Sequence, residues 1–410
     1  MEKSTKVFIG RQPILDRGKR TFAYELLYRA GYKNSFPDIS DSQATLKLLE
    51  NSFCNLGIDR ITGGKGAFIN FSKSLLLSDL TFLDPKSVVI EVLEDVPVDE
   101  DVVNTVIGLK ESGFRIALDD FEPSEEFASL LPLADFVKMD WLASSLPEIK
   151  GICQELAGSK TRLIAEKIET PDQFKTAYDL GFDYFQGFFF AKPAILKGKD
   201  LKPARKTRLR LMAAVNHGEM DMERIYSLLV KDPALSIKVL RLVNSASVGL
   251  SETISSIRQA VTLLGERKLK QWLAVIFLSS ISRGKPDVLV NTAVIRAGFS
   301  EKIIGDMGRP ELGPPAFMAG LLSMVEALFN IPAERVLEGL PLCREITDAV
   351  IFKKGLIYPL ILLSEACERA DMGFIKEFSS RTGISQDQIS ERWIDAVSWA
   401  TDSTQELAAA

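Results

Sequence analysis

The chain has 410 residues, of which 46% are hydrophobic and 26% charged, and its net charge is -5. This length suits two domains better than one, and the slightly acidic balance argues against binding to nucleic acid polymers or anionic membranes. The only histidine, His217, nearly excludes a histidine-rich metal site and makes Ser-His-Asp catalysis improbable. Hydrolytic chemistry in this chain would therefore depend on carboxylates, amides and lysines.

Cysteine usage and hydropathy indicate the compartment. The four cysteines lie far apart without a CxxC pair, as expected for reduced thiols in a cytoplasmic protein. The N-terminal segment MEKSTKVFIG has no apolar run of signal-peptide length. The most hydrophobic stretch, 272–281, is too short to cross a bilayer. We therefore expect a cytoplasmic protein that does not enter the membrane.

Short apolar runs alternate with helical patterns in the first half of the chain. The runs are rich in Val, Ile and Phe, as buried parallel strands are, and cover 21–29, 66–72, 87–94, 115–121, 136–141, 162–168 and 184–191. Amphipathic stretches at 99–113 and 170–181 end in Gly113 and Gly181, which suit helix C-caps. The alternation predicts an α/β fold for residues 1–197, as either a β/α barrel or a doubly wound sheet.

The second half has helical periodicity almost throughout. Asp232-Pro233 is a good helix start, and Ile257, Val261 and Leu264 share one helix face before Gly265. These patterns predict an all-helical domain over 211–402. The basic segment 198–210 is predicted to be a solvated linker, and residues 403–410 are predicted to be a frayed tail.

A polar side chain stands near the C-terminal end of each first-half run. The set is Glu25, Asn70, Glu91, Asp119 with Asp120, Lys138, Glu166 and Gln186. In a β/α barrel these ends converge at the mouth, and a buried strand has no structural need for a carboxylate. Crowded carboxylates require cations, and oxygen ligands favour Mg²⁺ or Mn²⁺, which can activate a water molecule against a phosphoryl group. The alternative is a set of strand-end residues satisfied by caps and salt bridges.

The motifs over roughly residues 6–195 resemble the EAL family of bacterial cyclic di-GMP phosphodiesterases. In chain order they are RQPILD (11–16), YELLYR (24–29), INFS (69–72), IEVLE (90–94), LDDF (118–121), VKMD (137–140), AEKIET (165–170) and QGFFFAKP (186–193). The resemblance implies a TIM-like barrel that converts cyclic di-GMP to the linear dinucleotide with two divalent ions, Mg²⁺ or Mn²⁺.

The resemblance also implies roles for individual residues. It implies metal ligands at Glu25, Asn70, Glu91, Asp119 and Asp120. It implies catalytic roles for Lys138, which would position the attacking water, and for Glu166 and Glu25. It implies substrate contacts from Gln12, Arg29 and Gln186, and supporting roles for Glu94 and Glu169. The chain departs from the family at Glu122 and Lys167, where glycine is usual, and in the loop that follows Glu122.

The second half resembles the HDOD domain, a helical relative of HD phosphohydrolases that lacks their metal ligands. The resemblance lies in segments 231–249, 254–272 and 319–326, and Ser323 and Met324 stand where a catalytic HD domain carries His-Asp. It implies a regulatory module that binds an unknown protein partner, and a homodimer is a further expectation. Two functions stay open: a metal-dependent cyclic di-GMP phosphodiesterase, which the full ligand set favours, or a catalytically inactive receptor or scaffold, which the altered loop favours.

Overall fold

The chain divides into two compact units. A computed structural model describes residues 7–30, 58–121, 127–190, 208–210, 212–213, 215, 226, 237, 239–240, 243–244, 254, 256–282 and 285–408. The first unit comprises Met1–Lys192 with Cys367–Lys376, and the second comprises Pro193–Ala366 with Glu377–Ala410. The predicted domain limit at residue 197, most of the predicted linker and His217 lie outside the described residues, so the domain limits stay a prediction.

Eight strands of the first unit close into a barrel. They are β1 (Val7–Asp16), β2 (Thr21–Ala30), β3 (Gly66–Phe71), β4 (Val88–Val92), β5 (Arg115–Leu118), β6 (Phe136–Asp140), β7 (Arg162–Glu166) and β8 (Tyr184–Gln186). Strand β1 is antiparallel to both β2 and β8, whereas all neighbours from β2 to β8 are parallel. The predicted β/α barrel is confirmed, and the doubly wound sheet is excluded. The last strand is shorter than its apolar run, because residues Phe188–Phe190 form a 3-10 turn.

Short helices connect most of the parallel strands, and two of them lie in the amphipathic stretches predicted at 99–113 and 170–181. They are α1 (Ile58–Thr62), α2 (Lys73–Leu76), α3 (Glu100–Glu111), α4 (Leu146–Glu155) and α5 (Pro171–Asp179). Asp99 caps α3 by accepting from the Val102 N–H, and Thr170 forms a capping box with Gln173 at the start of α5. Gly113 and Gly181 follow these two helices with φ of 91° and 101°, a conformation that glycine adopts without strain.

An apolar layer fills the barrel interior below the mouth. Every strand supplies a residue to it, namely Ile14, Ala23, Phe68, Val89, Ala117, Phe136, Ile164 and, partly buried, Tyr184. Phe22 packs against this layer and stacks on Tyr184, with 4.1 Å between the ring centroids. Strand side chains alternate in direction, so the next inward-facing residue on each strand lies two positions along the chain.

The described part of the second half is helical. Its helices are α6 (Ile257–Ile281), α7 (Asp287–Asp306), α8 (Gly313–Leu322), α9 (Val325–Phe329), α10 (Ala333–Leu337), α11 (Arg344–Val350), α12 (Tyr358–Arg369), α13 (Met372–Thr382) and α14 (Gln386–Ala408). Gly265 has φ 72° and ψ 161°, which are not helical, and it divides α6 into two helices, so the first of them ends at Gly265 as predicted. The predicted helix start at Asp232-Pro233 lies outside the described residues.

The C-terminal prediction is wrong for residues 403–408. Helix α14 continues to Ala408, and Ser403 is fully buried with its hydroxyl donating to the Trp399 carbonyl at 2.6 Å. Trp393 on the same helix packs edge-on against Phe299 of α7, with ring centroids 5.3 Å apart. The polar composition of the tail did not reveal that one face of this helix is buried.

A second apolar stretch is longer than the run 272–281 that stands out in the sequence. Residues Pro310–Phe329 have the length and mean hydropathy, 1.4, of a membrane-spanning helix, and most of this stretch is buried within the protein. Gly320 in this stretch lies against the backbone of Arg296 in α7, where an added Cβ would be 2.5 Å from the carbonyl oxygen. Burial against a neighbouring helix is typical of a core helix, and it explains the hydropathy without a bilayer.

Candidate metal centre at the barrel mouth

The predicted polar residues form a ring directly above the apolar layer. Each lies two positions beyond a layer residue, as Asn70 follows Phe68 and Lys138 follows Phe136. Because β1 runs in the opposite direction, its contribution comes two positions before Ile14 and pairs with Glu25 on β2. We call this set the mouth ring: Gln12, Glu25, Asn70, Glu91, Asp119, Lys138, Glu166 and Gln186. The strand register therefore brings together seven of the eight polar residues predicted at strand ends, and adds Gln12.

The Lys138 ammonium group is the centre of charge in the mouth ring. Its Nζ lies 2.7 Å from Glu166 Oε1, 3.0 Å from Asp119 Oδ1 and 3.6 Å from Glu25 Oε2, and it also contacts Glu91. The Lys138 side chain is 1% exposed and that of Glu91 0%. Four carboxylates thus surround one buried cation, and the ring carries excess negative charge whenever all of them are ionised.

Two side-chain amides orient Glu25. Asn70 Nδ2 donates to Glu25 Oε1 at 3.3 Å, and Gln186 Nε2 donates to the other oxygen, Oε2. The same Gln186 nitrogen donates to Gln12 Oε1 at 2.7 Å. These bonds use the amide nitrogens and leave the carbonyl oxygens of Asn70 and Gln186 free to act as ligands.

The unpartnered oxygens of this region fit a hard divalent ion. Among the described residues, buried oxygens without a hydrogen-bond partner include Asn70 Oδ1, Gln186 Oε1, Asp120 Oδ1 and both oxygens of Glu91. Glu91 Oε1 is within ion-pair range of Lys138, but without hydrogen-bond geometry. Glu91, Asp119 and Glu166 each offer an oxygen within 4.8 Å of the others. Buried polar atoms without partners are costly, and an all-oxygen donor set is suited to Mg²⁺ or Mn²⁺.

Burial and mutual repulsion shift the proton affinities in the ring. Burial raises the pKa of Glu91 well above its usual value, since Lys138 only partly offsets the desolvation and the other carboxylates add to it. Burial likewise raises the pKa of Glu166 to about 8, against the opposing charge of Lys138. Burial alone would lower the pKa of Lys138, but the surrounding carboxylates outweigh it and raise that pKa well above its usual value. Lys138 is therefore a permanent cation near neutral pH, whereas Glu166 can hold or release a proton.

Asp120 lies beside a second, smaller cluster. Its backbone has φ 37°, in the left-handed region, and its Oδ2 is 3.3 Å from Lys167 Nζ. Lys167 also contacts Asp140, whose other oxygen accepts from the Leu142 and Ala143 N–H groups at 2.7 and 3.1 Å. Burial would raise the pKa of Asp140, but the hydrogen bonds from Lys167 and the two backbone groups lower it. Asp120 is thus engaged by a lysine outside the mouth ring.

The other predicted residues stand apart from the ring. Arg29 lies in β2, but its side chain is outside the described part of the chain, as is residue Glu122 with its loop at 122–126. Glu94 is exposed beyond β4, close enough to Asp119 and Asp120 that their charge adds to burial in raising its pKa. Glu169 is exposed, and its backbone N–H donates to Gln173 at the start of α5.

Asp140 and Lys167 belong to the site, although the sequence predicted no role for either residue. Asp140 lies two positions after Lys138 on β6, so the same alternation that predicts the ring would have placed it one level higher. Lys167 was noted only as a departure from glycine. Its ion pairs depend on the register of β6 with β7, which places Asp140 beside Glu166.

Gly187 fixes the backbone beside this cluster. It has φ 135°, and a Cβ there would overlap the backbone of Ile168, whose N–H donates to Gln186 at 2.9 Å. We expect Gly187→Ala to lower the free energy of unfolding by at least about 2 kcal/mol, measured by urea denaturation. Gly158→Ala is the control, because Gly158 also has positive φ, 85°, but nothing lies within 4 Å of its added Cβ. Equal effects of the two substitutions would show that the contact with Ile168 is unimportant.

The helical unit offers a different kind of surface. A cavity of about 480 Å³ is lined by Phe317, Met318 and Pro314 together with charged groups. Four of those charged groups are paired within the lining, Arg267 with Glu301 at 2.5 Å and Lys270 with Glu266 at 2.5 Å. Ser323, which the resemblance to HDOD domains places where a catalytic HD domain would carry histidine, donates to the Gly320 carbonyl at 2.7 Å and lies 3.5 Å from the buried Arg296 guanidinium.

The fold and site define a β/α barrel with an acidic, metal-type centre at its mouth, followed by a helical domain. Family models match the EAL domain over residues 19–193 and the HDOD domain over residues 201–335. Two relatives cover both domains. YuxH of Bacillus subtilis is 32% identical over 96% of this chain and 98% of its own length. The protein named cyclic di-GMP phosphodiesterase CdgJ of Vibrio cholerae is 34% identical over 96% of this chain and 92% of its own length. The chain therefore belongs to the family of proteins in which an EAL domain precedes an HDOD domain.

Solved structures resemble the first domain more distantly. A manganese and cyclic di-GMP complex of BlrP1 from Klebsiella pneumoniae is 21% identical, with a TM-score of 0.39, and the match covers 45% of this chain and 55% of that one. The EAL domain of DcpA from Mycobacterium smegmatis is 24% identical, with a TM-score of 0.38 over 46% of this chain and 92% of that one. This chain therefore spans only about half the length of BlrP1.

Proposed function

We propose that this protein hydrolyses cyclic di-GMP to the linear dinucleotide in a metal-dependent reaction at the mouth ring. The observation that carries the proposal is the cluster of Glu91, Asp119 and Glu166 oxygens with unpartnered buried oxygens around it. Membership of the EAL family and the likeness to CdgJ, whose name states this activity, support the substrate. Mg²⁺ and Mn²⁺ are the ions that the oxygen donors favour.

The ring residues divide into ion-holding and substrate-facing groups in this proposal. Glu25, Asn70, Glu91 and Asp119 would hold the ion, with Asp120 the remaining candidate ligand. Glu166 would stand beside the ion, because one of its oxygens lies within 4.8 Å of those of Glu91 and Asp119. A bound divalent ion supplies a lowered pKa for a bound water molecule and charge stabilisation for the phosphoryl group. Gln12 and Gln186 are kept in place by their mutual hydrogen bond, and with Arg29 they are proposed to contact the dinucleotide.

Lys138 and Glu166 are proposed to act on the reacting atoms. The oxygen of water bonds to phosphorus, one P–O ester bond breaks, and the ring opens to a linear dinucleotide with a phosphate monoester and a free hydroxyl. Ionised Glu166 takes a proton from the water and can return it to the leaving oxygen, and its Oε1 lies 2.7 Å from the Lys138 ammonium that orients the water. Lys138, held protonated, orients the water and offsets phosphate charge.

A turnover assay tests this function directly. The full chain is incubated with cyclic di-GMP and Mn²⁺ or Mg²⁺, and the products are separated by chromatography. We expect linear dinucleotide with either ion and none in the presence of a chelator. Intact cyclic di-GMP under all conditions would refute the proposal.

A catalytically inactive receptor is the second candidate, and the observation that favours it is Lys167. This lysine engages Asp120, one of the predicted metal ligands, at 3.3 Å. Calorimetry distinguishes the versions of this alternative. Heat on titration with cyclic di-GMP without turnover would identify a receptor, and neither heat nor turnover would identify a scaffold.

The HDOD domain is proposed to be the regulatory or protein-interaction module. Support comes from Ser323 and Met324, which replace the His-Asp pair of catalytic HD domains, and from relatives that retain both domains over nearly their whole length. The expected partners are therefore cyclic di-GMP at the barrel and an unidentified protein at the helical domain. Light scattering of the full chain tests the expected homodimer.

A further inference from the structure

The backbone at Lys167 is the first of three observations about this residue. Its φ is 53°, in the left-handed region where glycine is favoured and a side chain is strained. The residue directly follows Glu166 at the end of β7, so the strain lies beside the mouth ring. Glycine would adopt this backbone conformation without strain, so replacing Lys167 by glycine is compatible with the fold.

The contacts of the Lys167 side chain are the second observation. Its ammonium lies between Asp120 Oδ2, at 3.3 Å, and Asp140 Oδ2. The other oxygen of Asp140 is used by the N–H groups of Leu142 and Ala143. Both oxygens of Asp140 thus have partners. The carboxylates of Asp120 and Asp140 already contact a cation of the protein itself, the Lys167 ammonium.

The distribution of available carboxylates is the third observation. Among the described residues, the group able to hold an ion comprises Glu91, Asp119 and Glu166, and it includes neither Asp120 nor Asp140. A divalent ion placed between Asp120 and Asp140 would meet the Lys167 ammonium at contact distance, where two cations repel strongly. The mouth ring also contains an ammonium group, that of Lys138, but four carboxylates surround it and the ring keeps excess negative charge for an ion. At the second cluster one ammonium faces only two carboxylates, so an ion there would have to displace Lys167.

We propose that the Lys167 ammonium replaces a second divalent ion between Asp120 and Asp140, so that the barrel binds a single divalent ion. The inference deepens the proposed function and rests on its claim that the mouth ring binds metal. It concerns how many ions bind, so it can fail while hydrolysis stands, and it can hold if hydrolysis is absent.

Counting bound Mn²⁺ tests the inference without reference to activity. The full chain is dialysed to equilibrium against Mn²⁺, and bound metal is measured by mass spectrometry and titration calorimetry. We expect one ion per chain for the wild type and two for Lys167→Gly, since glycine removes the ammonium and relieves the left-handed strain. Lys167→Arg keeps the positive charge and is expected to bind one ion.

Lys353→Gly is the matched control. Lys353 is exposed in the helical unit, with φ 52°, so the same substitution is made at nearly the same backbone conformation. It is expected to leave one ion per chain. Two ions on the wild type, an unchanged count in Lys167→Gly, or no bound ion in either would overturn the inference. Turnover of cyclic di-GMP, assayed in parallel, reports separately on the proposed hydrolysis.

Discussion

Lys138→Met is expected to lower the stability of the metal-free protein more than any exposed charge substitution, by about 3 kcal/mol or more. The side chain is 1% exposed and lies within ion-pair range of Glu25, Glu91, Asp119 and Glu166. Without the ammonium, these carboxylates face one another with no cation between them. Thermal unfolding followed by circular dichroism, in a chelating buffer, measures the loss.

Mn²⁺ is expected to restore part of the stability lost by Lys138→Met. An ion that binds only the folded protein stabilises it by mass action, by about 2.7 kcal/mol at one hundred times its dissociation constant. Lys175→Met is the control, because Lys175 makes an exposed ion pair with Asp179 at 2.6 Å on helix α5. Its melting temperature should match the wild type, with or without metal. A Lys138→Met protein as stable as the control in chelator would contradict the central role of this cation.

Glu91→Gln is expected to reduce turnover at least about 100-fold while leaving the metal-free protein as stable as the wild type, or more so. The carboxylate is completely buried, its pKa is raised well above the usual value by that burial, and its neighbours include three other carboxylates. An amide of the same shape removes a ligand and also removes an unfavourable buried charge. Activity and stability should therefore change in opposite directions.

Measuring turnover and stability together distinguishes a functional role of Glu91 from a structural one. Turnover, bound Mn²⁺ and the melting temperature in chelator are measured on the same preparation. Glu155→Gln, at an exposed position of helix α4, is the control and should alter none of the three. Lower stability without loss of metal binding would mean that Glu91 serves the fold and not the ion.

The sequence predicted the repeated strand–helix units because their physical signals are local, and the family resemblance favoured the barrel over a doubly wound sheet. A short apolar run indicates each strand. Periodicity, an N-cap residue and a following glycine indicate helices such as Glu100–Glu111. The run 184–191 does not reveal that its strand ends at Gln186, because an apolar run does not show where hydrogen bonding to the neighbouring strand stops. The buried face of α14 was missed for a similar reason, because its partners are distant in the chain.

The mouth ring could be predicted from the sequence only in part. Polar residues at strand ends, such as Asn70 and Glu166, could be recognised from the sequence because a barrel collects strand ends at one mouth. Gln12 entered the prediction only through the family resemblance. Its place in the ring follows from the antiparallel direction of β1, which reverses the order of polar and apolar residues along that strand.

The sequence by itself thus determined an α/β half followed by a helical half, the carboxylate-rich chemistry of the strand ends and, through its motifs, the family with its expected barrel. Only the tertiary structure decided which cation each carboxylate meets. Strand register brings Lys138 among four acidic groups and Lys167 between Asp120 and Asp140, although these partners are separated by up to 113 residues in the first case. Spacing along a chain specifies which side chains face the mouth, whereas charge pairing depends on distances of a few ångströms that only the closed barrel sets.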